Sequence, residues 1–156
     1  MAKAIPEGMH SITPHIIVSG AAKAIEFYKK VFGAEQIGPV STMPDGKVMH
    51  ALLKIGDSKL MMADDFGKPG MSSPQTLGGS PIVLTLYVPD VDATWKKATE
   101  AGAKALFPLS NQFWGDRYGM VQDPFGHMWA LATHIEDLTQ AEIDERAKSA
   151  FAHAGQ

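Results

Sequence analysis

Hydrophobic positions along the chain fall into two series that repeat one another, and a repeat of this length is the first thing to establish because it sets the architecture. In the first series the apolar run Ile16-Ile17-Val18 leads into Ala21 to Phe32, where Ala21, Ala24, Ile25, Tyr28, Val31 and Phe32 share one helical face. Gly33 stops that helix. In the second, Ile82 to Val88 reads as a strand and passes through Pro89 and Asp90 into a helix carrying Val91, Trp95, Ala98 and Ala101 on one face, closed by Gly102. Both helices carry a Lys-Lys pair, Lys29-Lys30 and Lys96-Lys97, and both end in a Gly-Ala step, Gly33-Ala34 and Gly102-Ala103. The offset is about 70 residues throughout.

Strand-like runs separated by turn signals follow each Gly-Ala step, as a three-strand meander requires. Pro44-Asp45-Gly46 is a tight-turn sequence, because proline presets φ at the first corner and glycine tolerates φ > 0. Val48 to Ile55 reads as a strand, Gly56-Asp57 turns the chain into Lys59 to Ala63, and Asp123-Pro124-Phe125-Gly126 turns it ahead of Met128 to Thr133. Each half is therefore β-α-β-β-β, an α+β arrangement. Asp64 to Ser80 is rich in Gly, Pro and Ser and lacks periodicity, which predicts a linker or long loop with room for mobility. The expected layout is a first module over residues 10–65, a linker over 66–80, a second module over 81–135, and a C-terminal helix and tail over 136–156. Thr139 with Glu142 forms a capping box ahead of Ile143, Ala147, Ala150 and Phe151, an amphipathic stretch.

Composition narrows the chemistry. The 156 residues, 45% hydrophobic, suit one compact domain or two small fused modules with a proper core. There is no cysteine, which excludes disulfides, thiolate metal sites and cysteine nucleophiles, and fits a cytoplasmic protein. The formal charge of -3 is dispersed, with no Lys/Arg cluster to neutralise a phosphate backbone, so nucleic acid is not an expected partner. Pro6 and Glu7 interrupt any secretory signal in the first nine residues, and no apolar run is long enough for a membrane span.

Three stretches together resemble the vicinal oxygen chelate (glyoxalase/bleomycin resistance/extradiol dioxygenase) superfamily, in its PhnB-like branch. They are Ala24-Ile25-Glu26-Phe27-Tyr28 with Phe32-Gly33-Ala34, Pro44-Asp45-Gly46 with Met49-His50-Ala51, and Gln112 to Arg117 with Asp123-Pro124-Phe125-Gly126-His127. The resemblance covers most of Thr13 to His134. It implies paired βαβββ modules whose curled mixed sheets surround a cavity, usually in a homodimer. It does not fix a reaction, because this scaffold hosts lyases, isomerases, dioxygenases and pure binders.

Metal-dependent members of that superfamily place one ligand on the first and one on the last strand of each module. Here those positions fall on Thr13, Met61, Val83 and Ala130, and neither Ile82 to Val88 nor Met128 to Thr133 contains a His, Asp or Glu that a shifted alignment could supply. No metal site and no cofactor is expected. A methyltransferase is unsupported, since no glycine-rich nucleotide fingerprint follows a strand.

The remaining candidates are histidines and aromatics. His15 lies two residues from Thr13, hence on the same strand face, and His50 sits mid-strand among apolar neighbours; each is either a general base or a structural histidine with a hydrogen-bond partner. His127 follows a turn and reads as structural, while His134 ends the last strand and could reach the cavity rim or a dimer interface. Trp114, Asp116 and Arg117 lie in a stretch with turn character in which Gly115 lets the backbone bend. Asp116 and Arg117 could orient a ligand by charge-assisted hydrogen bonds, or pair with each other and hold the loop. Met61 and Tyr87 complete the expected ligand-binding set, the first because its position faces the cavity in relatives. The favoured function is metal-independent binding of a small apolar or aromatic molecule. The alternative is an enzyme acting on a carbonyl or quinone-like substrate with His50 or His15 as base.

Overall fold

The computed structural model describes residues 1–152 and clusters into two compact units, Met1–Pro81 with Phe125–His127, and Ile82–Pro124 with the residues from Met128 onward. The last four residues of the expected tail lie outside the described residues.

In the first unit the order is β1 (His15–Val18), α1 (Ala21–Phe32), β2 (Glu35–Gln36), β3 (Ser41–Thr42), β4 (Val48–Ile55), β5 (Ser58–Asp64) and the short α2 (Pro74–Leu77). β1 runs parallel to β5, and β4 runs antiparallel to β5, β2 and β3. The strand expected after the first Gly-Ala step is broken into β2 and β3, because Pro39 offers no N–H to a ladder and Gly38 takes φ +70°. Cross-strand partners point to the same side of a sheet. Ile16, Met62 and Ala51 are such a row, with Leu60 and Leu53 beside them, and all are buried with the apolar stripe of α1. That stripe includes Phe27, whose ring meets Phe125 edge-on at 6.0 Å.

The N-terminus of α1 is capped from a distance. Gly20 at the N-cap has no side chain to offer, and Asp64, buried at the end of β5, takes its place: Oδ1 accepts the N–H groups of Gly20 and Ala21, both at 2.9 Å, and Oδ2 accepts that of Val48 at 2.7 Å. Asp64 therefore ends a strand and does not begin a linker. The stretch after it also carries structure that its composition does not suggest. Ser73 is fully buried and caps α2, while Asp65 accepts from the N–H of Ser73, the hydroxyl of Thr76 and the N–H of Gly67. Those bonds, the Ser73 amide first, hold the Asp65 carboxyl far below the usual carboxylate range.

The second unit holds β6 (Val83–Tyr87), α3 (Val91–Glu100), β7 (Lys104–Asn111), β8 (Asp116–Gln122), β9 (Met128–His134) and α4 (Gln140–Ala152), with strand order β6-β9-β8-β7 and β6 parallel to β9. Asp90 caps α3 by accepting the Ala93 N–H at 3.0 Å. Thr133 adds a second tie, accepting the Val91 N–H and donating to the Val88 carbonyl. Trp95 of α3 lies over Gly119 of β8 so closely that a Cβ there would sit 2.6 Å from its ring. The capping box forms as expected, with Thr139 N–H on Glu142, but no residue of α4 is fully buried; Phe151 meets Phe113 at 5.7 Å and remains mostly exposed. Among the described residues no helix is long and apolar enough to cross a membrane.

Candidate functional site

In the first unit, the sheet face turned away from α1 gathers three of the residues singled out in the sequence. His15 stands opposite Met61 in the β1–β5 register, Leu52 stands opposite Met61 from the other side, and His50 follows two residues before Leu52 on the same face. The imidazoles of His15 and His50 meet edge-to-face with centroids 6.2 Å apart. Partial burial, and then the like charge of His50, pull the pKa of His15 below its ordinary value, so its ring is neutral near pH 7. His127 is occupied otherwise: its Nε2 lies 2.8 Å from the Ile17 carbonyl oxygen, a structural tie.

The second unit assembles a denser group around one carboxylate. Asp116 is 3% exposed, and three side chains donate to it: the Tyr87 hydroxyl to Oδ2 at 2.7 Å, the Trp114 indole N–H to Oδ2 at 2.9 Å, and His134 Nδ1 to Oδ1 at 2.8 Å. Gly115, at φ +99°, makes the bend that returns the Trp114 indole toward Asp116, and its carbonyl accepts the N–H groups of Ile135 and Glu136 just past β9. Burial alone would raise the Asp116 pKa, but the bonds from His134, Tyr87 and Trp114 outweigh it and hold the carboxyl below its ordinary value. The Tyr87 phenol is raised in turn, chiefly by donating to Asp116.

His134 has an accepting carboxylate at each nitrogen, since Nε2 lies 2.9 Å from Asp137 Oδ1. Neither carboxylate can donate, so the form of His134 that satisfies both is the imidazolium, and its pKa is raised by Asp116 first and Asp137 second. Aromatic rings continue from this point. Trp114 meets Tyr118 edge-on at 5.6 Å and Phe113 edge-on at 5.0 Å.

Tyr87, Trp114 and Asp116 thus come together, and Arg117 does not join them. Asp116 and Arg117 are the first two residues of β8 and do not lie in the preceding turn, so they point to opposite faces and cannot pair. Arg117 reaches Asp92 on α3, with Nε to Oδ2 at 2.7 Å and Nη2 to Oδ1 at 2.8 Å. His134 is the member of the group that was not among the expected ligand-binding residues. Its register opposite Asp116 follows from the hairpin, whose central residue Phe125 is nine residues from each.

The fold's metal positions do not fit a metal. Met61 and Ala130 occupy the late-strand positions, Ala130 is fully buried, and among the described residues no group of three His, Cys, Asp or Glu side chains is placed to share an ion.

A protein of Mycobacterium tuberculosis, named only as uncharacterized, is 43% identical over 143 residues, spanning 89% of this chain and 83% of that protein. The crystal structure of an Arabidopsis thaliana gene product superposes with a TM-score of 0.64 at 28% identity, covering 80% of this chain and 98% of that one. TioX from Micromonospora sp. ML1 superposes with a TM-score of 0.63 at 26% identity, covering 81% of this chain and 99% of that one. A PhnB protein from Bacillus cereus, at 19% identity and a TM-score of 0.64 over 80% of this chain and 99% of that one, shares the fold. With two mixed sheets each built on a strand-helix-meander module, and with the model of the Glyoxalase/Bleomycin resistance protein/Dioxygenase superfamily matched over residues 8–131, the chain belongs to that superfamily.

Proposed function

We propose that this protein binds a small, planar aromatic molecule without the help of a metal ion, as a homodimer in the cytoplasm. The observation that carries the reading is the Asp116 group. One buried carboxylate fixes the Tyr87 phenol, the Trp114 indole and the His134 imidazole, and Tyr118 and Phe113 extend the aromatic surface. Rings held in this way lose little rotamer freedom when a flat ligand stacks on them, which favours affinity by preorganisation. The dimer is supported by the edges of the second sheet, where β6 exposes Val83 and Tyr87 and β7 exposes Leu106 and Phe107.

The test is titration of untagged protein, stripped with a chelator, against a panel of bicyclic aromatics, read by quenching of tryptophan fluorescence and by calorimetry. Stoichiometric binding that survives the chelator and weakens in Trp114→Leu supports the reading; binding that returns only with added zinc, nickel, manganese or iron overturns it. Light scattering across a wide concentration range tests the dimer, and a monomer throughout would remove that part.

A second reading has its own observation. His15 is held neutral beside His50, as a general base near pH 7 must be. Turnover of carbonyl or quinone-like compounds that rises with pH through a value below the ordinary histidine range, and is abolished in His15→Gln, would favour an enzyme.

A further inference from the structure

His134 is the one member of the Asp116 group whose second nitrogen faces outward, and what meets it there is informative. Its Nδ1 is spent on the buried Asp116, but Nε2 is bonded to Asp137, whose side chain is fully exposed and, among the described residues, makes no other side-chain hydrogen bond. Half of the His134 side chain is itself exposed. A charged donor, oriented from behind by a buried carboxylate, thus turns its second nitrogen toward solvent, where the exposed Asp137 carboxylate meets it. Beside it stand Tyr87 and the rings of Trp114 and Tyr118.

From this we infer that the ligand of this group is an aromatic carboxylate, and that the Asp137 side chain occupies the position its carboxylate takes. The inference rests on the proposed aromatic-binding reading and specifies its ligand class. Exchange of one carboxylate for another at Nε2 leaves the imidazolium between two anions, so no new charge is stranded. It also keeps the bond between two opposite full charges, which a neutral aromatic cannot do. Asp137 competes from three residues away, at no cost in translational freedom, and therefore sets the affinity threshold that an incoming carboxylate must pass.

Two probes of the same shape separate the carboxylate from the ring: 2-naphthoate and its neutral counterpart 2-naphthamide, each titrated by calorimetry against wild type, Asp137→Asn and His134→Gln. Removal of the competing carboxylate in Asp137→Asn should tighten naphthoate binding by roughly 3- to 10-fold, and His134→Gln should weaken it by about 10-fold or more, while naphthamide changes by less than about 2-fold in either variant. Both substitutions fall on exposed side chains, and thermal melts of the variants establish that they fold. If naphthamide binds but naphthoate binds no better and ignores Asp137→Asn, the carboxylate inference is overturned and the aromatic reading survives. If neither probe binds wild type or Asp137→Asn, both are overturned.

Discussion

Asp116 and His134 face each other directly across the β8–β9 hairpin, Oδ1 to Nδ1 at 2.8 Å, with one buried and the other half in solvent. Such a pair divides its tasks: the buried carboxylate fixes the orientation and the charge, and the outer ring meets whatever arrives. Asp116→Asn keeps the shape and removes the charge. The His134 pKa should fall toward its ordinary value, with Asp137 alone holding part of the rise, and the raised Tyr87 phenol should fall as well. Histidine ring resonances followed by NMR across pH give the first shift and ultraviolet titration the second. An unchanged His134 would mean that Asp137, not Asp116, sets its charge.

The same pair makes stability depend on pH in a defined window. His134 has a folded pKa raised above its reference of 6.5, so its contribution is complete below that value and is lost as pH rises through the folded pKa. Asp116 has a folded pKa below its reference of 3.8, so its contribution is complete above that value and is lost as pH falls through the folded pKa. The difference in unfolding free energy between wild type and His134→Gln should therefore be greatest between about pH 4 and 6.5 and shrink on both sides. Denaturant titrations at pH 5 and pH 9 measure it. A difference that grows toward pH 9 would contradict the assigned directions.

Asp64 in the first unit and Thr133 in the second do corresponding work with different strength. Asp64 is the final residue of β5 and Thr133 the penultimate one of β9, and each accepts a backbone N–H at the start of its module's helix; Asp64 takes two such groups, Gly20 and Ala21, with Val48 of β4 as a third partner, and Thr133 takes one. Asp64→Ala leaves the buried N–H groups of Ala21 and Val48, and the part-buried one of Gly20, without that acceptor and should cost about 3 kcal/mol. Asp64→Asn restores the bonds to Oδ1 but turns an N–H toward the Val48 N–H, so it should fall between the two. Thr133→Val should cost about 1 kcal/mol, since Asp90 still caps α3. Chemical denaturation ranks the three, and a Thr133→Val loss equal to that of Asp64→Ala would overturn the comparison.

These residues mark where sequence reading reaches and where it stops. Periodicity placed α1 at the residues it occupies, and β4 likewise, because a helical stripe ending in glycine and an alternating strand between two turns are local signals. The face of His15 was legible for the same reason, whereas that of Met61 was expected from the family resemblance and that of His50 was left open. Asp64 was not, since its partners Gly20 and Val48 are distant in sequence and nothing nearby marks a strand-end carboxylate as a cap. Asp116 and Arg117 were misread together because a Gly-containing run looks like a turn until strand pairing is known. One step into β8 then sends adjacent side chains to opposite faces, one to His134 and the other to Asp92.

Gly119 illustrates the remaining kind of constraint, one set by shape rather than by polarity. It sits mid-strand in β8 with ordinary backbone, where any residue would be conformationally acceptable, yet a Cβ would come within 2.6 Å of the Trp95 ring and 3.0 Å of the Leu109 side chain. Gly119→Ala should therefore destabilise by about 1–3 kcal/mol through overpacking, despite the strand's preference for a side chain. The cause can be isolated by a second substitution. In a Trp95→Leu background, the smaller side chain vacates the space, and the added methyl group should cost far less than in wild type. Thermal or denaturant unfolding of the four proteins closes the cycle. Equal costs in both backgrounds would show that the strand itself, or Leu109, requires the glycine, and would remove Trp95 as the reason for it.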